Sequence, residues 1–210
     1  MKNILLTLGV LGVMASALTA GTVNYNTNGS TLSCNSVGGC IQNSTTQVTI
    51  GGLTFTYNSG SGSGVVTPSI INLGNIVSTG TGTSVNVTGL LLSINVFSTP
   101  PGGSGVLPNG SVSGTISSNN SGATINFSPN NTTTSFGFLP GVVIGGGNQS
   151  FTYQVLNPSL GLQAPTVGNP VGQTSIQGTV TDSSAPEPAT LVLMGAGLGL
   201  VGLMRRRATR

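Results

Sequence analysis

Apolar side chains alternate with threonine, serine and asparagine along most of the chain, a period of two that is typical of half-buried β-strands. The clearest examples are Leu53, Phe55 and Tyr57 within GLTFTYN, and Val85 and Val87 within SVNVT. No stretch of the body repeats apolar residues at the helical spacing of three and four. The pattern therefore predicts short strands that each bury one face.

Other apolar positions predict further strands. The run GLLLSINVF is apolar on both faces at its start, which predicts a more central strand. Val112 and Ile116 lie on one side of SSNNSG and Ile125 and Phe127 on the other, which predicts a hairpin. Three more strands are expected around Phe136 and Phe138, around Phe151, Tyr153 and Val155, and around Ile176 and Val180.

Glycine, proline and asparagine separate the predicted strands. The segments SGSGSG at residues 59–64 and TPPGGSG at residues 99–105 are expected to be loops or flexible insertions. Together these signals predict an all-β fold, a mainly antiparallel β-sandwich or jelly-roll-like domain at residues 21–181. The alternative is a β-solenoid, since chains rich in glycine, asparagine and serine also coil, but the sequence has no fixed repeat period.

Charge is confined to the two ends of the 210-residue chain. The seven charged side chains are five lysines and arginines and two carboxylates, namely Lys2, Asp182, Glu187, Arg205, Arg206, Arg207 and Arg210. From Asn3 to Thr181 there is no Asp, Glu, Lys, Arg or His. Nucleic-acid binding depends on cations that neutralise phosphates, so this function is excluded for the body.

The same absence argues against catalysis and metal binding. A serine or threonine nucleophile needs a neighbouring base, and the body offers none. Two cysteines without histidine do not complete a zinc site, and a calcium site would lack carboxylates. We therefore expect a non-enzymatic protein with no metal and no cofactor.

The N-terminal sequence MKNILLTLGVLGVMASALTAG has a lysine, then an apolar run, then small residues. This order predicts a secretory signal peptide at residues 1–20, which signal peptidase would remove after Ala17 or Ala20. The alternatives are a buried N-terminal helix and a retained membrane anchor, although the apolar run is short for a membrane-spanning helix.

Cys34 and Cys40 enclose the sequence NSVGG. An even number of cysteines in an exported protein favours a disulfide, which in a loop this small contributes about 2–3 kcal/mol. Free thiols are the alternative. A redox-active role is disfavoured, because the spacing is not that of a CxxC motif and no cation lies nearby in the sequence to lower a thiol pKa.

The C-terminal end begins with Pro186, Glu187 and Pro188. Two prolines so close together hold the chain extended and prevent it from pairing in a sheet. An extended segment of this kind can enter the active site of a processing enzyme. An apolar, glycine-rich run follows at residues 189–204, which as a helix would reach about 24 Å, just short of the ~30 Å hydrocarbon core. Local thinning of the bilayer accommodates a span of this length.

Arg205, Arg206 and Arg207 follow the apolar run and should stay in the cytoplasm by the positive-inside rule. With an exported N-terminal side, the body would lie outside the membrane. The predicted organisation after the β-domain is a linker at residues 182–188, a transmembrane helix at 189–204 and a basic tail at 205–210.

The order Pro-Glu-Pro, apolar helix, arginine cluster resembles the PEP-CTERM sorting signal, and the resemblance is limited to this end of the chain. It implies an exosortase as the processing partner and a Gram-negative-type bacterium as the host. The resemblance further implies an intermediate anchored in the inner membrane, then delivery to the envelope surface or extracellular matrix, often in association with exopolysaccharide or biofilm. Removal of the tail would discard every arginine and leave a mildly acidic protein.

These observations favour a structural or adhesive component of the cell surface or matrix. The alternative is a carbohydrate-binding module, since sugars stack on aromatic rings and bind amides and hydroxyls. Tyr57 and Tyr153 are the candidate ligand contacts of that alternative. However, the phenylalanines and tyrosines mostly alternate like core residues, which favours burial over exposure.

Overall fold

The computed structural model describes residues 21–35, 37–81, 83–100, 102–127, 141–146, 149–166 and 171–182, together with residues 195, 197 and 198. The described residues include nineteen strands. In chain order these are β1 (Thr22–Asn26), β2 (Thr31–Cys34), β3 (Cys40–Ser44), β4 (Gln47–Ile50), β5 (Leu53–Ser59), β6 (Ser61–Val66), β7 (Ser69–Gly80), β8 (Val85–Asn86), β9 (Leu90–Ser93), β10 (Asn95–Thr99), β11 (Gly103–Val106), β12 (Gly110–Ser113), β13 (Thr115–Ser117), β14 (Asn120–Ser121), β15 (Thr124–Phe127), β16 (Gly141–Gly146), β17 (Gln149–Val155), β18 (Ser159–Gly161) and β19 (Val171–Asp182).

The strands form four sheets, and the recorded strand pairs are antiparallel. The largest sheet has seven strands in the order β16-β17-β19-β7-β5-β4-β3. The others are a five-stranded sheet (β18-β15-β12-β9-β2), a four-stranded sheet (β11-β10-β1-β6) and a three-stranded sheet (β14-β13-β8). The predicted all-β, mainly antiparallel class is confirmed.

Some chain segments pass directly from one sheet to another at a bend, as they do in orthogonally packed sandwiches. The segment β9–β10 leaves the five-stranded sheet and enters the four-stranded sheet at Ile94, which is completely buried. The segment β5–β6 turns at Gly60, where an added Cβ would lie 2.0 Å from the carbonyl oxygen of Asn72. Glycine is therefore required at this second corner by close packing. The run GLLLSINVF is not one central strand, because it is divided between two sheets.

The predicted hairpin around SSNNSG is confirmed. Val112 pairs with Ile125 between β12 and β15, and Ile116 pairs with Ser121 between β13 and β14. The chain changes sheet at Gly114, whose φ of +109° lies in the region that favours glycine.

The prediction that the glycine-rich segments 59–64 and 99–105 are loops was wrong for most of their length. β6 pairs with β1, and β11 pairs with β10. An added Cβ on Gly62 would lie 2.5 Å from Cε1 of Tyr25, and one on Gly105 would lie 2.5 Å from Cγ2 of Val142. These glycines allow large side chains and a neighbouring strand to approach closely rather than making the backbone flexible.

The buried faces of the sheets form one hydrophobic cluster within the described residues. Its largest fully buried side chains are those of Tyr153, Phe55, Phe151, Leu32, Leu53, Leu73, Ile76, Leu90, Leu92, Ile94, Leu107 and Ile116. The longest pairing joins β7 to β19, which lie far apart along the chain. Such long-range pairing around a shared core is that of a sandwich and differs from the stacked successive coils of a solenoid.

Candidate functional site

Tyr57, a candidate ligand contact, lies in β5 with its ring inside the core. The side chain is 3% exposed, and its Oη lies 2.9 Å from Oγ1 of Thr27 and 2.5 Å from the carbonyl oxygen of Leu73. Burial raises the pKa of the Tyr57 hydroxyl, and the hydrogen bond with Thr27 partly offsets this. Tyr57 therefore presents no surface to a ligand.

Tyr153, the second candidate contact, is also inside the core. It is fully buried in β17 and donates a hydrogen bond of 2.8 Å from its Oη to Oγ of Ser98. Its ring lies 6.4 Å from that of Tyr25, centroid to centroid. Burial raises the pKa of Tyr153, and the adjacent Tyr25 raises it further. The assignment of Tyr57 and Tyr153 as exposed ligand contacts is thus wrong, and their predicted core role is correct.

Among the aromatic side chains that the structure describes, Phe97 is the exposed one, with 38% of its surface accessible. It lies in β10, inside the four-stranded sheet, opposite Asn26 of β1 and Ser104 of β11. Phe97 ends the run GLLLSINVF, and no feature of the sequence distinguished it as a functional residue. In the structure Val96 and Ser98 are buried, so Phe97 between them points outward, because successive side chains of a strand lie on opposite faces.

Polar side chains surround Phe97 on the outward face of this sheet. Asn95 and Thr99 are two residues away on the same strand and therefore share its face. Asn24 pairs with Thr99, and Val106 pairs with Asn95. We call the set Phe97, Asn24, Asn26, Asn95, Thr99 and Ser104 the Phe97 face.

Several polar groups of the Phe97 face have no protein partner within the part of the chain that the structure describes. Oδ1 of Asn24 accepts hydrogen bonds from Oγ of Ser63 (3.0 Å) and from the backbone N–H of Gly64 (2.7 Å), while Oδ1 of Asn26 accepts one from the backbone N–H of Asn28 (3.1 Å). These bonds orient the two amides and leave their N–H donors available. The groups available for a ligand are the Nδ2 groups of Asn24 and Asn26, the amide of Asn95, and the hydroxyls of Thr99 and Ser104.

Where β4, β5 and β7 lie side by side, the outward face of the seven-stranded sheet differs from the Phe97 face. There the polar side chains bond to one another across strands. The distances are 3.0 Å for Thr49 to Thr54, 3.0 Å for Gln47 to Thr56 and 3.0 Å for Asn58 to Asn75. The polar side chains of this part of the surface therefore form their hydrogen bonds with one another.

The predicted disulfide between Cys34 and Cys40 is confirmed, with Cα atoms 5.9 Å apart. Cys34 ends β2, at the edge of the five-stranded sheet, and Cys40 begins β3, at the edge of the seven-stranded sheet. The bond therefore connects two sheets. Its position at two sheet edges fits the structural role that the sequence favoured over a redox role.

Beside the disulfide, the side chain of Gln42 bonds to the exposed edge of β2. Oε1 of Gln42 accepts a hydrogen bond from the backbone N–H of Cys34 at 3.0 Å, and Nε2 donates one to the carbonyl oxygen of Leu32 at 2.7 Å. The backbone N–H of Leu32 also bonds to the carbonyl oxygen of Thr45 at 2.9 Å. The amide thus occupies the positions that a neighbouring strand would use. The sequence pattern does not indicate that Gln42 protects the edge of β2, because this role depends on how the two sheets pack.

Among the described residues, Asp182 is the single charged side chain, and no three metal-binding side chains lie together. The described residues also contain no helix with the length and hydrophobicity needed to cross a bilayer.

The predicted sorting residues Pro186, Glu187 and Pro188 and the arginines Arg205, Arg206 and Arg207 lie outside the described residues, as does the predicted signal peptide. Within the predicted transmembrane segment, the structure describes three residues in helical conformation, Gly195, Gly197 and Leu198.

Comparison with known protein families finds a match at the C-terminal end, where residues 184–208 match the PEP-CTERM protein-sorting motif. The chain carries a PEP-CTERM sorting motif. The matched residues include the Pro-Glu-Pro sequence, the apolar run and the three consecutive arginines, so the resemblance inferred from the sequence is confirmed. The motif implies that the protein is exported, passes through a membrane-anchored intermediate and has an exosortase as its processing partner. No curated protein and no solved structure matches the chain.

Proposed function

We propose that the processed protein is a non-enzymatic structural or adhesive component of the cell surface or extracellular matrix. The observation that carries this proposal is the combination of a sorting motif with a packed β-domain that has no charged residue from Asn3 to Thr181. The domain is joined closely to the motif, because β19 ends at Asp182 and the matched region begins at residue 184. Asp182 is one residue beyond the domain boundary predicted from the sequence.

A surface of amides and hydroxyls suits a matrix component. It is hydrated by hydrogen bonds rather than by ions, so changes of salt concentration and pH outside the cell leave its interactions nearly unchanged. The same composition supports a non-enzymatic role, because the body supplies no base to activate its many hydroxyls.

The proposed route begins with removal of residues 1–20 by signal peptidase. Cleavage after Ala20 would leave Gly21 at the new N-terminus. The carbonyl oxygen of Gly21 accepts hydrogen bonds from the backbone N–H of Thr67 (2.9 Å) and from its Oγ1 (3.1 Å), so this cut preserves the start of β1 and its contacts. The C-terminal segment would then hold the protein at the inner membrane until the exosortase removes it.

Intact mass spectrometry of the protein from its host, with and without the exosortase, tests this route. We expect the mature form to lack both residues 1–20 and the sequence RRRATR, and to focus below neutral pH. Without the exosortase, the arginines should remain and the protein should stay in the membrane fraction. A mature mass that retains RRRATR would refute processing at this motif.

A pair of variants tests the role of the motif in sorting. Glu187→Ala should cause the anchored form to accumulate, since it alters the sequence between the two prolines. Asp182→Ala is the matched control, because it removes the same charge outside the matched region 184–208 and should be processed normally. Equal processing of both variants would show that Glu187 takes no part in recognition.

The structural role is tested by fractionating cells and matrix. The processed protein should partition with the surface or matrix fraction, and its deletion should weaken the cohesion of that fraction. Hydrolytic turnover of a matrix polymer by the purified protein would instead establish an enzyme and contradict the proposal.

A further inference from the structure

We propose that the Phe97 face is a binding site for a neutral polysaccharide of the surface or matrix. This inference rests on the proposed function, because it names the class of polymer that the protein would hold there. The proposed aromatic contact is Phe97 of the four-stranded sheet, in place of the buried Tyr57 and Tyr153 of the seven-stranded sheet.

The exposure of the Phe97 ring suits it to contact a sugar. The other aromatic side chains whose burial the structure describes are at most 5% exposed, whereas Phe97 is 38% exposed. A pyranose ring presents C–H groups on its faces, and these pack against an aromatic ring with both apolar contact and electrostatic attraction. An aromatic side chain among amides and hydroxyls thus offers the apolar half of a sugar-binding site.

Hydrogen-bonding groups around this ring are available for a ligand. The donors of Asn24 and Asn26, the amide of Asn95 and the hydroxyl of Ser104 take no protein partner among the described residues. Water satisfies such groups in the free protein, and the hydroxyls of a sugar can replace that water. The polar groups around Thr49 and Thr54 bond to one another and have no exposed aromatic side chain beside them, since Phe55 is buried.

The backbone that supports Phe97 is rigid. β10 is paired on both sides, with β1 and β11. The adjacent turn is held at its two buried ends, Thr27 and Ser30. Oγ of Ser30 donates to the carbonyl oxygen of Thr27 at 2.6 Å and accepts from the backbone N–H of Asn95 at 3.0 Å. A Cβ added to Gly29 of this turn would lie 3.6 Å from Cε2 of Phe97. Because residue 29 is a glycine, no side chain from this position lies against the ring. A site held in place in this way loses little entropy on binding.

The lack of charged side chains in the body determines which class of polymer the Phe97 face can bind. The body has no cation to pair with a uronic acid, sulfate or phosphate group, and no carboxylate to attract an amino sugar. Desolvating such a charged group against this face would be costly without compensation. A polymer of neutral hexoses is therefore the ligand that matches the Phe97 face.

Isothermal titration calorimetry of the processed protein from its host tests the proposal. The probes are three neutral polysaccharides (dextran, galactomannan and mixed-linkage β-glucan) and one acidic polysaccharide, alginate. We expect binding to at least one neutral polymer, with little dependence on salt, and no binding to alginate. Phe97→Ala should raise the Kd about tenfold or more, the usual effect of removing a central aromatic contact.

Matched variants separate the site from general effects. Ile70→Ala removes an apolar side chain that is 64% exposed on the seven-stranded sheet, and should leave the Kd unchanged within about twofold. Phe97→Trp should retain binding, and Asn95→Ala should weaken it while leaving thermal unfolding unchanged. These last two variants keep the test decisive if Phe97→Ala does not fold.

Three outcomes would overturn the proposal. They are no binding to any neutral probe, binding to alginate alone, and equal weakening by the changes at Phe97 and Ile70. Such a result would leave the proposed matrix role standing if the processed protein still partitions with the matrix fraction. Failure of that partition would count against the proposed function itself.

Discussion

At the scale of single residues, the three tyrosines connect layers of the fold through buried hydroxyl groups. Tyr25 both donates to the carbonyl oxygen of Asn72 (3.0 Å) and accepts from its backbone N–H (3.1 Å). Tyr57 approaches Thr27, which lies in the turn after β1, and Tyr153 reaches Ser98 of β10. In a body without ion pairs, these bonds supply directional contacts between sheets.

Tyr57→Phe should lower the free energy of unfolding by about 1–3 kcal/mol. The change removes a hydroxyl while leaving the carbonyl oxygen of Leu73 and the hydroxyl of Thr27 buried with one partner fewer. Denaturant-induced unfolding measures the effect. Thr79→Val is the control, because this half-buried hydroxyl has no hydrogen-bond partner among the described residues and its loss should change stability by less than about 0.5 kcal/mol. Equal effects of the two variants would contradict the structural role of the Tyr57 hydroxyl.

At the scale of strands, the edge of β2 is protected without charge. Sheet edges are commonly protected by lysine, proline or bulges, since an open edge pairs with other chains. Here Gln42 occupies the edge with its amide, in addition to contacting the carbonyl oxygens of Ser44 and Gln47. The neutral side chain of Gln42 thus protects this sheet edge, a role that charged side chains have in other sheets.

Gln42→Met should reduce stability by about 1 kcal/mol and increase self-association, because it keeps the side-chain length but opens the backbone groups of Leu32 and Cys34. Thermal unfolding and size-exclusion chromatography measure the two effects. The control is Asn43→Ala on the same strand, where the exposed amide bonds only to the hydroxyl of Thr49. A monomeric Gln42→Met variant with unchanged stability would show that the amide does not protect this edge.

The disulfide acts at the same junction of sheets. Replacing both Cys34 and Cys40 with serine should lower the free energy of unfolding by about 2–3 kcal/mol, as expected for a small closed loop. Denaturant titration under oxidising conditions measures this loss. Adding a reductant should destabilise the natural protein and leave the double variant unchanged; if the reductant destabilises both equally, its effect does not come from this bond.

Some strands were missed because their sequences lack the alternating pattern. β7 contains Asn72, Gly74 and Asn75, yet it pairs with both β5 and β19. Gly74 has a φ of +121° and lies opposite the irregular register at Ile176, so the glycine belongs to a bulge inside the strand. Pairing with two neighbouring strands outweighs the weak local preference.

At the scale of the whole molecule, the lack of charge makes stability nearly independent of pH over a wide range. We expect the free energy of unfolding to be constant between about pH 6 and 9. The tyrosines are the only side chains of the body that titrate, because its two cysteines are joined in a disulfide and have no proton to lose. Denaturant unfolding across this range, at low and high salt, checks the prediction. A slope near the ~1.4 kcal/mol per pH unit of one titrating group would contradict it.

Above about pH 10 the stability should fall. Burial raises the pKa of Tyr25, Tyr57 and Tyr153, so each hydroxyl holds its proton more tightly in the folded state than in the unfolded state. The stabilisation is therefore complete below the pKa of an unfolded tyrosine and is lost as the pH rises through the higher folded values. Tyr57→Phe should show a shallower alkaline decline than the natural protein, and identical profiles would exclude Tyr57 as a source of the decline.

The sequence by itself determined the properties that depend on local pattern and composition: the all-β class, the hairpin around SSNNSG, the sorting motif and the lack of charged side chains from Asn3 to Thr181. The tertiary structure decided which side chains face outward and which segments change sheet. Tyr57 and Phe97 are both aromatic residues in segments that the sequence predicts as strands, but Tyr57 points into the core and Phe97 to the surface. Likewise, the glycines of β6 and β11 belong to strands because residues distant in the chain pack against them. The physical reason is that burial and pairing depend on partners far along the chain, which local alternation does not specify.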